Sequence, residues 1–100
     1  MIWNKINKIS DLKEYIESVC PNAMLVDGYD DCIIGIQLVK PNNTHIIYSK
    51  HSMIKKIIVN KHISFNDAHT YFTYIVRIAF TLNKNIMPLF VEDLPNPKLN

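Results

Sequence analysis

The sequence predicts an α+β domain: a small antiparallel sheet, a three-strand meander plus a C-terminal edge strand, covered on one face by helices in the order αβββααβ. Three observations carry this. Apolar residues recur at helical spacing over three stretches, about 10–20, 49–59 and 64–82. Short β-branched runs punctuated by turn residues lie between the first and second stretches. With 100 residues, 48% hydrophobic and 20% charged, the chain suits a single domain, 1–100, with its own core and an extended tail over 92–100.

The first helix is expected from Ser10, a good N-cap, to Pro21, which cannot continue it. Asp11 and Glu14 place negative charge in its first turn, where the helix dipole favours it. Leu12, Tyr15, Ile16, Val19 and Cys20 fall on one stripe, leaving Lys13, Glu14 and Glu17 to water. Three strands follow in the expectation: Ala23–Val26, Cys32–Val39 and His45–Tyr48, separated by the turn clusters 27–31 and 41–44. Ser49 caps a second helix running to about Val59, with Met53, Ile54, Ile57 and Ile58 inward and His51, Ser52, Lys55 and Lys56 outward. Ser64 and Asp67 have capping-box spacing at the head of a third helix, with Ile63 and Ala68 as its hydrophobic staple. That helix runs to about Phe80 or Leu82. The last strand, Met87–Val91, contains Pro88, which has no N–H to donate, so it belongs at a sheet edge.

The third helix is apolar around more than half its circumference. Phe65, Ala68, Phe72, Ile75, Val76 and Ala79 share one face, and Tyr71, Tyr74 and Ile78 a second beside it. Asn66, Thr70, Thr73 and Arg77 are left for water. The second face is covered either by the second helix or by another chain. Tyr71, Tyr74 and Ile78 are therefore the candidate protein interface, and a homodimer is the expected assembly.

The chemistry-bearing residues do not form a catalytic pattern. His45, His51, His62 and His69 include no i, i+4 pair and no HExxH, so ordinary surface histidines outweigh a metal site. Asp27, Asp30 and Asp31 lack the alternating spacing of a calcium loop, although a cation or general-base cluster competes there with simple turn chemistry. Cys20 and Cys32 are not in a CxxC arrangement and suit a core better than a disulfide or nucleophile. Two glycines are too few for a three-glycine phosphate loop. No apolar run is long enough to span a membrane, and the opening residues lack a signal peptide's layout, so a cytoplasmic protein is expected. A net charge of +2 and a single arginine argue against nucleic acid as partner. The best anion-facing surface is Lys50, Lys55, Lys56, Lys61 and His62, which competes with a plain solvated helix face. No catalytic residue, metal or cofactor is assigned, and the chain is expected not to be an enzyme.

Several segments together resemble a widespread family of small uncharacterised bacteriophage proteins. They are Asp27-Gly-Tyr-Asp-Asp-Cys-Ile-Ile-Gly-Ile36, His45-Ile-Ile-Tyr-Ser-Lys50, Met53-Ile-Lys-Lys-Ile-Ile58, Ile63-Ser-Phe-Asn-Asp-Ala68, Tyr71-Phe-Thr-Tyr74 and Met87-Pro-Leu-Phe-Val91. Family members read as D-x-A-I-x-G, then V-Y-x-x-x-K-x-I-x-x-L, then M-S-x-E-E-A-x-E-Y-F-E-Y-N-x-x-G-A-Y-x-G-E-x-T-P-x-F. The likeness covers about residues 25–92, and its motifs are loose. Where the family has Asn and Gly around its helix exit, this chain has Ile75, Ile78 and Leu82 and a short insertion before Met87. The resemblance implies a phage-type accessory protein that binds a host protein, for instance as an inhibitor of a bacterial defence system. The alternative is a nucleotide-binding or nucleotide-sequestering protein using the Lys55, Lys56 and Lys61 surface.

Overall fold

A computed structural model describes residues 9–40 and 43–92. The chain's opening residues, the Pro41-Asn42 centre of the second turn cluster and most of the expected tail, 93–100, lie outside the described residues. The α+β architecture holds. Helix α1 spans Ile9–Val19, and a single 3-10 turn covers Asp30–Cys32. Strands β1 (Ile33–Lys40) and β2 (Asn43–Ser49) follow, then helices α2 (Lys50–Lys61) and α3 (Phe65–Asn83), and last the short strand β3 (Leu89–Val91).

The sheet is ordered β1-β2-β3 and is mixed. β1 and β2 are antiparallel, with Ile36 opposite Ile46 and Gln37 opposite His45. β3 lies parallel to β2, pairing Ile47 with Leu89 and Ser49 with Val91. The expected meander is therefore a hairpin, because Ala23–Val26 is not a strand. Its backbone is satisfied in other ways. The Ala23 N–H donates to the Cys20 carbonyl at 3.0 Å, and the Val26 N–H donates to the hydroxyl of Tyr48 at 2.8 Å. A segment whose amide is taken by a distant side chain needs no ladder partner.

β3 is an edge strand, but it begins only at Leu89, so Pro88, expected inside it, is buried just before it. One residue earlier, the Met87 carbonyl accepts from His45 Nδ1 at 2.7 Å. A carbonyl can only accept, so this nitrogen carries the proton.

One core joins all the layers. From β2 come Ile46 and Tyr48, from α1 Leu12 and Ile16 with Cys20 directly after it, from α2 Met53, Ile54 and Ile57, and from α3 Ala68 and Phe72. Phe90 of β3 stacks on Tyr48 and meets Phe72 edge-on, tying the parallel strand to α3.

The helix ends follow the local chemistry. Ser49 ends β2 and caps α2 with no intervening loop: its fully buried hydroxyl accepts from the Ser52 N–H at 3.0 Å. α2 stops at His62, which adopts a left-handed conformation (φ 54°) while its N–H bonds back to the Ile58 carbonyl. Ser64 caps α3 by accepting from the Asp67 N–H at 3.1 Å. α1, by contrast, already includes Ile9 and Ser10, so Ser10 is not its N-cap.

Candidate functional site

α2 and α3 are joined by only three residues, His62–Ser64. Their lengths differ: at 1.5 Å per residue, 12 residues reach about 18 Å and 19 residues about 28 Å. Lys50, the first residue of α2, already has its Nζ 5.6 Å from the Phe72 ring. Lys61, at the other end of α2, reaches Tyr71, so both ends of α2 lie against the first half of α3 and the second half extends beyond it.

The consequence is visible in the exposed side chains. Ala68, Phe72 and Ala79 are buried, and Ile75 and Val76 half-buried. Tyr74 is 60% exposed, Ile78 45% and Tyr71 38%. Leu82, near the end of the helix, is 71% exposed. At about 100° per residue, Tyr71, Tyr74, Ile78 and Leu82 follow one another at i, i+3, i+7 and i+11 along one flank. Tyr71 is the inner member: Lys61 Nζ sits 4.5 Å above its ring. The other three stand clear of α2.

Phe65 was expected to face inward with Phe72 but is 61% exposed. It opens α3 at the helix's first residue and stands beside a cleft between the two helices. Phe80 is also exposed, on the opposite flank from Tyr74. The polar stripe behaves as expected. The hydroxyls of Thr70, Thr73 and Thr81 donate to carbonyls one turn back, those of Asn66, His69 and Arg77, at 3.1, 3.0 and 2.9 Å.

The five candidate anion-binding residues do not converge. Lys50 and Lys61 occupy the two ends of α2, eleven residues and so about 16 Å apart along the axis. Lys50 pairs with Glu92 at 2.8 Å, and this ammonium holds the Glu92 carboxyl below its ordinary range. Lys56 pairs with Asp31 at 2.7 Å and lies 5.8 Å from the Tyr29 ring. Their hydrogen bond lowers the Asp31 pKa and raises that of Lys56. Lys61 is over Tyr71, and His62 is exposed at the helix end. Lys55, Lys61 and His62 make no ion pair among the described residues, and of these three Lys55 is the one that lines the cleft beside α2.

The acidic loop is resolved by the same pairing. Asp31 turns towards Lys56, Asp30 opens the 3-10 turn, and Asp27 is exposed next to Gly28. Gly28 has φ +89°, so a residue without Cβ is needed there. Among the described residues, no three His, Cys, Asp or Glu side chains gather to hold a metal ion. Cys20 and Cys32 are buried free thiols, and Cys32 Sγ leans on the Asp31 carboxylate at 3.7 Å. The four histidines stand on separate elements: His45 on β2, His51 on α2, His62 in the link and His69 on α3. No helix among the described residues is long and apolar enough to cross a membrane.

No protein-family model matches this chain, and neither a curated protein nor a solved structure does.

Proposed function

We propose that the chain is a non-enzymatic protein-binding module whose working surface is the flank of α3 carrying Tyr71, Tyr74, Ile78 and Leu82. The observation behind this reading is the overhang: α3 outruns α2, and its apolar flank continues past the point where cover ends. A row of four large apolar side chains on a rigid 19-residue helix suits docking by occlusion, with aromatic anchors near the middle. The phage-type accessory role rests on loose motifs and gains nothing from the comparisons. The reading therefore stands on the helix face alone.

In isolation, the surface that fits this face is the same face on a second copy. Two copies crossing antiparallel about a twofold axis lay the flank of each helix on that of the other and oppose the helix dipoles. From their fractional exposures, the four side chains offer on the order of 450 Å² per copy. About 900 Å² in a pair falls just short of the ~1,000 Å² expected of a stable specific interface. The self-complex is accordingly weak and concentration-dependent, which leaves the face open to a better-fitting partner. The test is amide chemical-shift change on dilution. Shifts confined to residues 71–82 and abolished by Ile78→Asp are expected; shifts spread over the sheet, or none, contradict the reading.

The nucleotide-binding alternative has less behind it, since Lys56 is already paired and Lys61 covers a tyrosine.

A further inference from the structure

On the other side of the α2–α3 pair from the Tyr74 flank is a cleft of about 420 Å³, within the 300–1,000 Å³ range of small-molecule sites. It opens where β2 and β3 both end, next to Lys50 and Glu92. Its walls are apolar: Ile54 and Ile58 stand one turn apart on α2, facing the exposed ring of Phe65 on α3. His69 tilts against Phe65, ring centres 6.2 Å apart, and extends the aromatic wall. The rim is cationic or hydrogen-bonding, formed by His51, Lys55 and His69. Glu92 is the acid that lines the cleft among the described residues, and it is engaged by Lys50 at 2.8 Å. Lys55 faces the opening with no carboxylate of its own among the described residues.

An apolar slot between an aliphatic and an aromatic wall, with a free ammonium at its mouth, selects for both shape and charge. The geometry points to a binding site for a small organic anion with an apolar body, an aromatic or medium-chain carboxylate. The body lies between Ile54, Ile58 and Phe65, and the carboxylate meets Lys55 Nζ. A neutral analogue keeps the apolar contacts and loses the charge-assisted bond. A simple phosphate keeps the charge and loses the walls. The site lies on the opposite side of α3 from the protein-binding face and goes beyond that reading.

The experiment is amide chemical-shift titration of the full chain with 1-naphthoate and with decanoate, beside 1-naphthalenemethanol, decanol and inorganic phosphate. Saturable shifts at Ile54, Ile58, Phe65 and His69 with at least one carboxylate are expected, and about tenfold weaker binding of its alcohol. Which carboxylate binds distinguishes an aromatic from a fatty ligand. Lys55→Glu, at an exposed position, weakens the carboxylate about tenfold and leaves the alcohol unchanged. Ile78→Asp on the far flank changes neither, which separates failure of this site from failure of the protein-binding face. No saturable shift with either carboxylate, or equal affinity for carboxylate and alcohol, or an affinity indifferent to Lys55→Glu, overturns the proposal.

Discussion

Replacing Tyr48 by phenylalanine removes one oxygen from the centre of the molecule and tests how the loop before the 3-10 turn is held. The ring is fully buried and stacks on Phe90, contacts that phenylalanine keeps. What is lost is the acceptor for the Val26 N–H at 2.8 Å. A hydrogen bond contributes about 0.5–1.5 kcal/mol net, and a buried donor left without a partner costs about 1–3 kcal/mol. Val26 is half-buried, so water recovers part of that, and the expected loss is about 1–2 kcal/mol. For a domain of this size that lowers Tm by roughly 4–8 °C per kcal/mol.

The same substitution has a signature in alkali. Burial pushes the Tyr48 hydroxyl up to about 12, from 10.0. A folded-state pKa above the unfolded one contributes stability that is present below pH 10 and lost as pH rises through 12. At about 1.4 kcal/mol per pH unit, some 2–3 kcal/mol disappears over that window. In Tyr48→Phe this part is absent, although Tyr29, also raised by burial, still contributes. Thermal melts by circular dichroism at pH 8 to 12 measure both effects. An unchanged Tm at pH 8 together with an unchanged alkaline slope would refute the reasoning.

Three further substitutions bear on the local devices. Ser49→Ala removes the α2 cap inside the core and is expected to cost about 1–2 kcal/mol by urea unfolding, against about 0.5–1 kcal/mol for the exposed cap Ser64→Ala; equal losses contradict the burial argument. Asp31→Asn breaks a half-exposed ion pair and costs under about 1 kcal/mol at pH 7. Because the folded Asp31 pKa is lowered, its contribution is present above pH 3.8 and lost as pH falls through the folded value. The wild-type and Asp31→Asn stability curves should therefore converge in acid, and a gap that persists there contradicts the pairing. Gly28→Ala places a Cβ at φ +89° and lowers stability by about 1 kcal/mol despite the open space around it; unchanged stability means that this turn is not restrained.

What sequence made legible was local. The Ser49 and Ser64 caps, the left-behind edge strand after Pro88 and the two flanks of α3 all follow from neighbours within a turn of the chain. The Ala23–Val26 segment looked like a strand because its composition is apolar, yet its amide partner, Tyr48, lies 22 residues away. The direction of β3 was equally hidden, since a run of three residues reads the same parallel or antiparallel. On the exposed flank of α3, periodicity singled out Tyr71, Tyr74 and Ile78. Whether α2 covered them depended on how far each helix extends, and α2 starts opposite Phe72. The lysines show the converse. Their clustering in sequence suggested a common surface, but Lys50 and Lys56 each found an acid 42 and 25 residues away.

Multi-angle light scattering over a wide concentration range tests most directly whether the overhanging flank of α3 is an interface. The wild-type mass should rise from 11.6 kDa towards twice that value as concentration increases. The variant Tyr74→Asp/Ile78→Asp, altered only at exposed positions, should stay at 11.6 kDa with an unchanged Tm. A wild-type mass of 11.6 kDa at the highest concentration reached, or a variant that associates as the wild type does, would contradict the claim that this face is an interface.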